Sequence, residues 1–591
     1  MAENTGTLQD NACIYGQTPS KMMTAAQAVS RFISHGSHIG FGGFSLCRNA
    51  MSISHEIIRQ GISNLHISSV NPAYGVDVLV GAGLVSYIES GCLNMERLGL
   101  PRNFCRAVEK GIVKSEDYEH LGMTMRYLAG SLGISFIPTK AEIGSDIANK
   151  SSSSNMKLTH GNCPFTGEKY VLLPACKPDV AVIFVTKADE SGNAQIDGSV
   201  FSDEYIAKAA DKIIVVAELI VDSDTIRQNP SDTVIPAYRV NAVVHEPWGA
   251  YPTALPGHYD YDYDALNLYQ AYAKDHEQFQ EYLRKYIYGT KDFTEFLDLS
   301  LTPSRMQQLR YDPRLGYSQQ VAEKVTIGGK NKPLPQDGYT RNEMMIVAAA
   351  RQIRDGDIAI IGTGLPMAAT SLAMNIHAPQ LAYVVETGIG DMSPLHACLS
   401  VADTRLLGAA KPAFVRNIME ALGFLVQRGF ADVGFLGGAQ IDMFGNLNAT
   451  SAGDYTLPKK RFPGSGGANP IASCAGRVLT IIRHEKRRFV KKVDYITSPG
   501  FLDGGDSRKD AGLRGGGPDR VISDLAIMDF EPLSKRMRVI SLHPGVTKEQ
   551  VQEATGFEML FADNLEITEP PSELELSVMR AKVGLVYLSG D

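Results

Sequence analysis

The chain has 591 residues, 44% of them hydrophobic and 21% charged, with a formal net charge of -8. That length exceeds one ordinary core and predicts several domains of soluble globular type. The acidic balance excludes a dedicated nucleic-acid surface, and no run of about 18 apolar residues is present to span a membrane.

The opening stretch, MAENTGTLQDNACIYGQTPS, shows no basic region followed by an apolar one and is too acidic for a transit peptide. Residues 1–19 are therefore expected to form a polar tail, and the cytoplasm is the expected compartment. From residue 24, TAAQAVSRFISHGSHIGFGGFS reads as an amphipathic helix, a glycine stop at Gly36, a short buried strand and a glycine turn. The same plan returns at residue 340 in TRNEMMIVAAARQIRDGDIAIIGTGLP. The register continues beyond it. PDVAVIFVTKADESGNAQIDG (178–198) is echoed by ADVGFLGGAQIDMFGNLNATS (431–451), and DKIIVVAE (from 211) by GRVLTIIRHEK (from 476). Three matched features in one order predict an internal duplication.

Short strands alternating with helical segments give the expected fold class, α/β, as two tandem homologous open sheets. The expected division is a domain over 20–315, a linker over 316–339 and a domain over 340–591. The linker expectation rests on VTIGGKNKPLPQDGY (325–339), which is polar and rich in Gly and Pro. The Tyr-rich stretch 259–289 reads as a helical addition that packs through its aromatic side chains. Eight cysteines, none in CxxC spacing, predict reduced thiols, and no His/Cys/carboxylate cluster has metal-ligand spacing.

Ligands of open α/β sheets gather beyond the carboxyl ends of the strands. In VVETGIGDMSP (384–394) an apolar strand ends by presenting Glu386 to a glycine-rich turn. A carboxylate is a poor nucleophile in water, but held among backbone amides it can attack an acyl carbon. Taken alone, Glu386 reads equally as an acid that accepts hydrogen bonds from the turn after it. GGAQIDMFGNLNATSAGDY (437–455) carries amides that could serve an oxyanion, and RFPGSGGANP (461–470) is a glycine loop that lets backbone approach a ligand. No Walker A loop follows, because no Gly-Lys-Ser/Thr is present there. In GFGGFSLCRNA (40–50), Ser45 and Arg48 stand just past a strand-end glycine pair, and MERLGLPRNFCRAVEKG (95–111) adds Arg102. These are candidates for holding a carboxylate.

Together these stretches resemble the class I CoA-transferases, most closely the glutaconate CoA-transferase type. The first half is similar to the α subunit of such enzymes through SHIGFGGF, GNAQIDG and GAYPT. The second half is similar to the β subunit through GTGLP, VVETGIGD, GGAQID, RFPGSGGAN and HEKRRF. The resemblance implies two subunits of one fold fused in a single polypeptide, and it places the family's catalytic glutamate on Glu386, with Thr387 where Ser or Asn is usual. It implies oxyanion and CoA contacts at Gly388, Gly437, Gly438, Ala439, Gln440, Gly464, Ser465, Gly466, Gly467 and Asn469. The implied reaction moves CoA between an acyl-CoA and a free carboxylic acid by a ping-pong route through an acyl-glutamyl anhydride and a glutamyl-CoA thioester. CoA is then a substrate and transient adduct with no permanently bound cofactor, and the chain is expected to self-associate as a dimer or tetramer. The alternatives are an acyl-CoA hydrolase or ring-opening β-diketone CoA hydrolase on the same fold, and a non-catalytic CoA-binding protein.

Overall fold

The computed structural model describes residues 20–151, 157–318, 334–335, 338–393, 398 and 400–583. The tail 1–19 and most of the linker stretch 325–339 lie outside the described residues.

The first half is built on seven parallel strands: β1 (His38–Phe41), β2 (Leu65–Ser69), β3 (Val85–Ser90), β4 (Lys114–Asp117), β5 (Val180–Ala188), β6 (Lys212–Ile220) and β7 (Ala242–His245). They lie in the order β4–β3–β2–β1–β5–β6–β7. The second half carries β8 (Ile358–Ile360), β9 (Ala382–Val385), β10 (Val433–Leu436), β11 (Arg477–Ile481) and β12 (Pro518–Ile522), continued by β13 (Ala526–Phe530), β14 (Met537–Leu542) and β15 (Leu560–Ile567). Here the parallel order is β9–β8–β10–β11–β12. It repeats β2–β1–β5–β6–β7 strand for strand, so the duplication seen in the sequence is a duplication of topology. β5, at the centre of its sheet, is buried at eight of nine positions, which is why the segment reads as a continuous apolar run without alternation.

Local signals agree across the two halves. The helix Ala25–Phe32 opens on Thr24, whose hydroxyl accepts from the Gln27 amide while the Gln27 side chain accepts from the Thr24 amide. The helix Arg341–Ala350 opens on Thr340 in the same reciprocal way with Glu343. Each box satisfies two amides that would otherwise lack partners at a helix start.

The Tyr-rich addition forms the helices Tyr263–Tyr272 and His276–Leu283, followed by Phe293–Ser300 and Pro303–Leu309. It packs on the first half through buried rings. The Tyr269 hydroxyl donates to Asp77 at 2.6 Å, and the Tyr74 and Tyr282 hydroxyls meet at 3.2 Å.

The halves join through polar contacts at the carboxyl ends of their strands. Leu93 N donates to Pro463 O (2.9 Å), His120 N to Gly466 O (3.1 Å) and Gly466 N to Gly91 O (3.0 Å). Beside them Asp117, the last residue of β4, forms a two-pronged ion pair with Arg461, and both side chains are 1% exposed. The Tyr455 hydroxyl donates to Asp117 Oδ2 at 2.9 Å. A buried charge left without its partner is costly, whereas an apolar replacement of both partners often is not. Asp117→Asn is therefore expected to destabilise the protein by about 3–5 kcal/mol. Replacing both partners, Asp117→Leu with Arg461→Met, should recover much of that loss. Urea midpoints of the two variants check both statements.

Candidate active site

Glu386 follows directly on β9 and turns into a cavity of ≈ 260 Å³ at the seam of the two halves. From the second half the wall is made by the ends of β8 (Gly362, Thr363) and β10 (Gly437), and by the loop Pro463–Ala468. The order β9–β8–β10 makes the crevice between β8 and β10 the point where the chain reverses its direction of winding. Ligands of open α/β sheets collect at that point. From the first half come Asn71 after β2, Cys92, Asn94 and Glu96 after β3, and His120 after β4. Both halves thus point strand ends at one space.

The nucleophile candidate is closely held. His120 Nδ1 lies 3.2 Å from Glu386 Oε2, a close approach without the direction of a hydrogen bond, since Nδ1 has no hydrogen-bond partner. The other ring nitrogen, Nε2, is 3.2 Å from Cys92 Sγ. Burial, with Glu386, Glu96 and Asp117 adding negative charge, holds the Cys92 thiol well above its ordinary value. A thiol proton given to Nε2 would leave Nδ1 as the ring's donor, on the side of Glu386. His120 itself opens the helix His120–Ser131, whose cap Glu119 accepts from the Leu121 and Gly122 amides.

Gly467 stands against the same carboxylate oxygen. A Cβ built there would lie 2.1 Å from Glu386 Oε2, so only glycine leaves the carboxylate where it is. The turn after Glu386 is equally constrained. Gly388 has φ +85°, and a Cβ on it would lie 2.2 Å from the Asn417 carbonyl oxygen. Ser199 of the first half donates to the Thr387 carbonyl at 2.5 Å, and the Thr387 hydroxyl donates to Val401 O at 2.9 Å. The Thr387 hydroxyl therefore pins the loop.

A second carboxyl shares the cavity. Glu96 is half-buried and receives Ser45 Oγ on Oε1 (3.2 Å) and Thr363 Oγ1 on Oε2 (3.4 Å). Burial first, then the charge on Glu386, pushes its carboxyl up to about 7.

The residues expected from the sequence divide into three groups. Glu386, Gly437, Gly464, Ser465, Gly466 and Gly467 line the cavity. Gly388, Gly438, Ala439, Gln440 and Asn469 stand behind it as supports. The Gly388 amide donates to Val385 O and the Ala439 amide to Asn448 O. Gly438 O accepts from Arg488 at 3.1 Å, Gln440 Oε1 from Asn448 at 2.7 Å, and Asn469 Oδ1 from the Glu142 amide at 2.7 Å. The amides of Gly464 and Gly466 are likewise bonded, to Ala449 O and Gly91 O. The carboxylate-binding candidates lie away from the wall. Arg48 is fully buried and clamps the protein's own Asp203 at 3.0 Å, with its guanidinium 4.6 Å over the Phe201 ring. Arg102 is exposed on the helix Arg102–Glu109. Ser45 reaches the cavity only through Glu96.

Sequence reasoning missed His120, Cys92 and Glu96. Each sits just past a short strand of the first half, more than 260 residues from Glu386, in stretches (GCLNMERLG, DYEHLGM) whose polar side chains read as facing solvent.

Two duplicated α/β halves that close their strand ends around one carboxylate are the architecture of a CoA-transferase. The family model described as Coenzyme A transferase matches residues 22–246 and 342–554, and the chain belongs to that family. It is 45% identical over 243 residues to the B-type polypeptide of the 3-oxoadipate CoA-transferase of Pseudomonas knackmussii, covering 41% of this chain and 93% of that one. It is 34% identical over 313 residues to the A-type polypeptide of the glutaconate CoA-transferase of Acidaminococcus fermentans, covering 50% of this chain and 97% of that one. One polypeptide thus carries counterparts of both types. Among solved structures, an acyl-CoA transferase (YdiF) of Escherichia coli O157:H7, in a thioester complex with CoA, superposes with a TM-score of 0.65 at 15% identity. The match covers 97% of this chain and 98% of that one and speaks to the fold. No helix among the described residues is long and apolar enough to cross a membrane.

Gly467→Ala is expected to displace the Glu386 carboxylate while the surrounding backbone stays in place. A displacement of about 1 Å costs on the order of a hundredfold in rate. Steady-state turnover should fall by that factor with an unfolding midpoint close to wild type.

Proposed function

We propose that this enzyme transfers CoA between an acyl-CoA and a free carboxylic acid with Glu386 as the nucleophile, within domains bounded at 20–315 and 340–591. The observation that carries the reading is the placement of the Glu386 carboxylate in the cavity lined by both halves, with His120 Nδ1 and Gly467 both close to its Oε2.

A Glu386 oxygen attacks the acyl carbon of the donor thioester, the C–S bond breaks, and CoA leaves as thiolate. The product is an acyl-glutamyl anhydride. The thiolate then adds to the glutamyl carbonyl, the anhydride C–O bond breaks, and the donor acid departs as its carboxylate. The acceptor carboxylate reverses these steps. One thioester replaces another, so no ATP is required. During attack on the glutamyl carbonyl, negative charge develops on a Glu386 oxygen. His120 Nδ1 stands 3.2 Å from a Glu386 oxygen, so a small turn of the ring brings a proton there onto that charge. Both intermediates are water-sensitive, and the pantetheine arm of CoA, filling a cavity lined by both halves, would keep water from them.

The relatives act on 3-oxoadipate and glutaconate, by their names, and a dicarboxylic acid is the substrate class this reading favours. CoA serves as substrate and transient adduct. The enzyme works in the cytoplasm as a self-associating chain.

Glu386→Gln preserves shape and removes the nucleophile, so transfer should be lost with the fold intact. Incubation of wild type with succinyl-CoA alone should add a CoA-sized mass to the peptide bearing Glu386. Full transfer by Glu386→Gln would sink the assignment. A hydrolase would release acid with no second acid present, whereas transfer requires one. Glu386→Asp, retracted by one methylene, should raise the ratio of free acid released to CoA transferred.

A further inference from the structure

The transfer reaction brings a second carboxylate into a cavity that already holds one. The free acid must come within bonding distance of the Glu386 carbonyl, and among the described residues of the cavity wall there is no lysine or arginine to receive it. Arg48, which the sequence offered for this task, is fully buried away from this wall and paired with Asp203 through Nη2. What the wall provides is Glu96.

Glu96 is placed with care. Its backbone has φ +52°, the left-handed region that non-glycine residues rarely occupy, and Ser45 beside it has φ +50°. Such conformations cluster where a side chain must be aimed. The Asn94 side chain fixes the turn by accepting from the Glu96 amide at 3.0 Å. Its carboxyl then meets three hydroxyls, Ser45 from its own half and Thr363 and Ser400 from the other. The titratable groups that share the wall are Glu386, Cys92 and His120. Neither Cys92 nor His120 bonds to Glu96; they bond to each other.

We propose that Glu96 is the acid-binding residue of this cavity: its neutral carboxyl donates a hydrogen bond to the carboxylate of the free acid that enters and leaves beside Glu386. The proposal rests on the CoA-transfer reading above. An ionised Glu96 would repel the incoming acid, whereas a neutral one converts the repulsion into a charge-assisted hydrogen bond. Burial and the charge on Glu386 favour the neutral form, and with its carboxyl at about 7 the group titrates in the physiological range. The pKa is raised, so the binding form is complete at low pH and is lost as pH rises through about 7. Simple carboxylic acids are fully ionised from pH 6 to 8 and add no titration of their own in that window.

The test uses the full chain, saturating succinyl-CoA, and glutaconate or acetate as acceptor. For the wild type, KM for the acceptor should rise about tenfold between pH 6 and pH 8, following the fraction of neutral Glu96. Glu96→Gln keeps a donor without a titration, so its KM should vary less than about twofold over the same range, with kcat within about tenfold of wild type. Glu96→Ala should show a raised KM that is also flat. A flat wild-type profile, which needs no variant to fold, overturns the proposal, and so does a Glu96→Gln profile parallel to wild type. Adduct formation on Glu386 from succinyl-CoA alone separates the two levels. If the adduct forms and the profiles are parallel, only the role of Glu96 fails; if no adduct forms, the transfer reading fails with it.

Discussion

The ion pair between Asp117 and Arg461 is the joint on which the site depends. Asp117 ends β4 three residues before His120, and Arg461 precedes the loop that carries Gly467. Fixing these two ends to each other fixes the histidine and the glycine beside Glu386, although Glu386 touches neither partner of the pair. Gly464 fits the same joint, because a Cβ there would come 3.2 Å from Asp117 Oδ1. A surface pair would be too weak and too mobile for this task. A buried, two-pronged pair supported by Tyr455 has one geometry and loses several kcal/mol when half of it is removed. Its value to the enzyme is positional, and stability alone would be served as well by apolar side chains.

Duplication explains why such a joint is needed. Each half is an open parallel sheet whose strand ends can collect a ligand, and the two copies have divided the work. The second half holds the carboxylate, the glycine loop and the β8–β10 crevice. The first half holds His120, Cys92 and Glu96. Neither half contains a complete site, so the chemistry exists only at the seam, and the contacts from Leu93 to Pro463 and from His120 to Gly466 belong to the active site as much as to the fold.

Much of this was legible beforehand, for identifiable reasons. The repeat was visible because buried parallel strands are written as apolar runs and because each half opens on a Thr-capped helix, both of them local signals. Glu386 and the 464–467 loop were visible because glycines mark where backbone must come close to something. Gly467 shows what that something is, the Glu386 carboxylate. Arg48 was misjudged because sequence gives a cation's presence and not its partner, and Asp203, 155 residues away, already occupies it. Glu96 and His120 were invisible because their function comes from a neighbour on the other half of the chain. Nothing in NMER or YEHL distinguishes a carboxyl raised by a distant charge, or an imidazole aimed at one, from solvated side chains.

Electrostatics along the proposed reaction ties Glu96 to Glu386. In the free enzyme burial, and then the charge on Glu386, shift Glu96 toward its neutral form. Formation of the glutamyl thioester removes the charge on Glu386, and the departing acid takes a charge out of the cavity with it. The force that held the proton on Glu96 is then weakened, but the acceptor acid restores it by bringing a carboxylate of its own. The cavity thus alternates between one negative charge and none, and the proton on Glu96 is held most tightly whenever a carboxylate is present. A fixed arginine would instead bind the acid in every state and resist its release. An acid that must be both captured and expelled in each turnover is better served by a partner whose attraction depends on a proton, since such a partner need not desolvate a permanent charge each time the cavity empties.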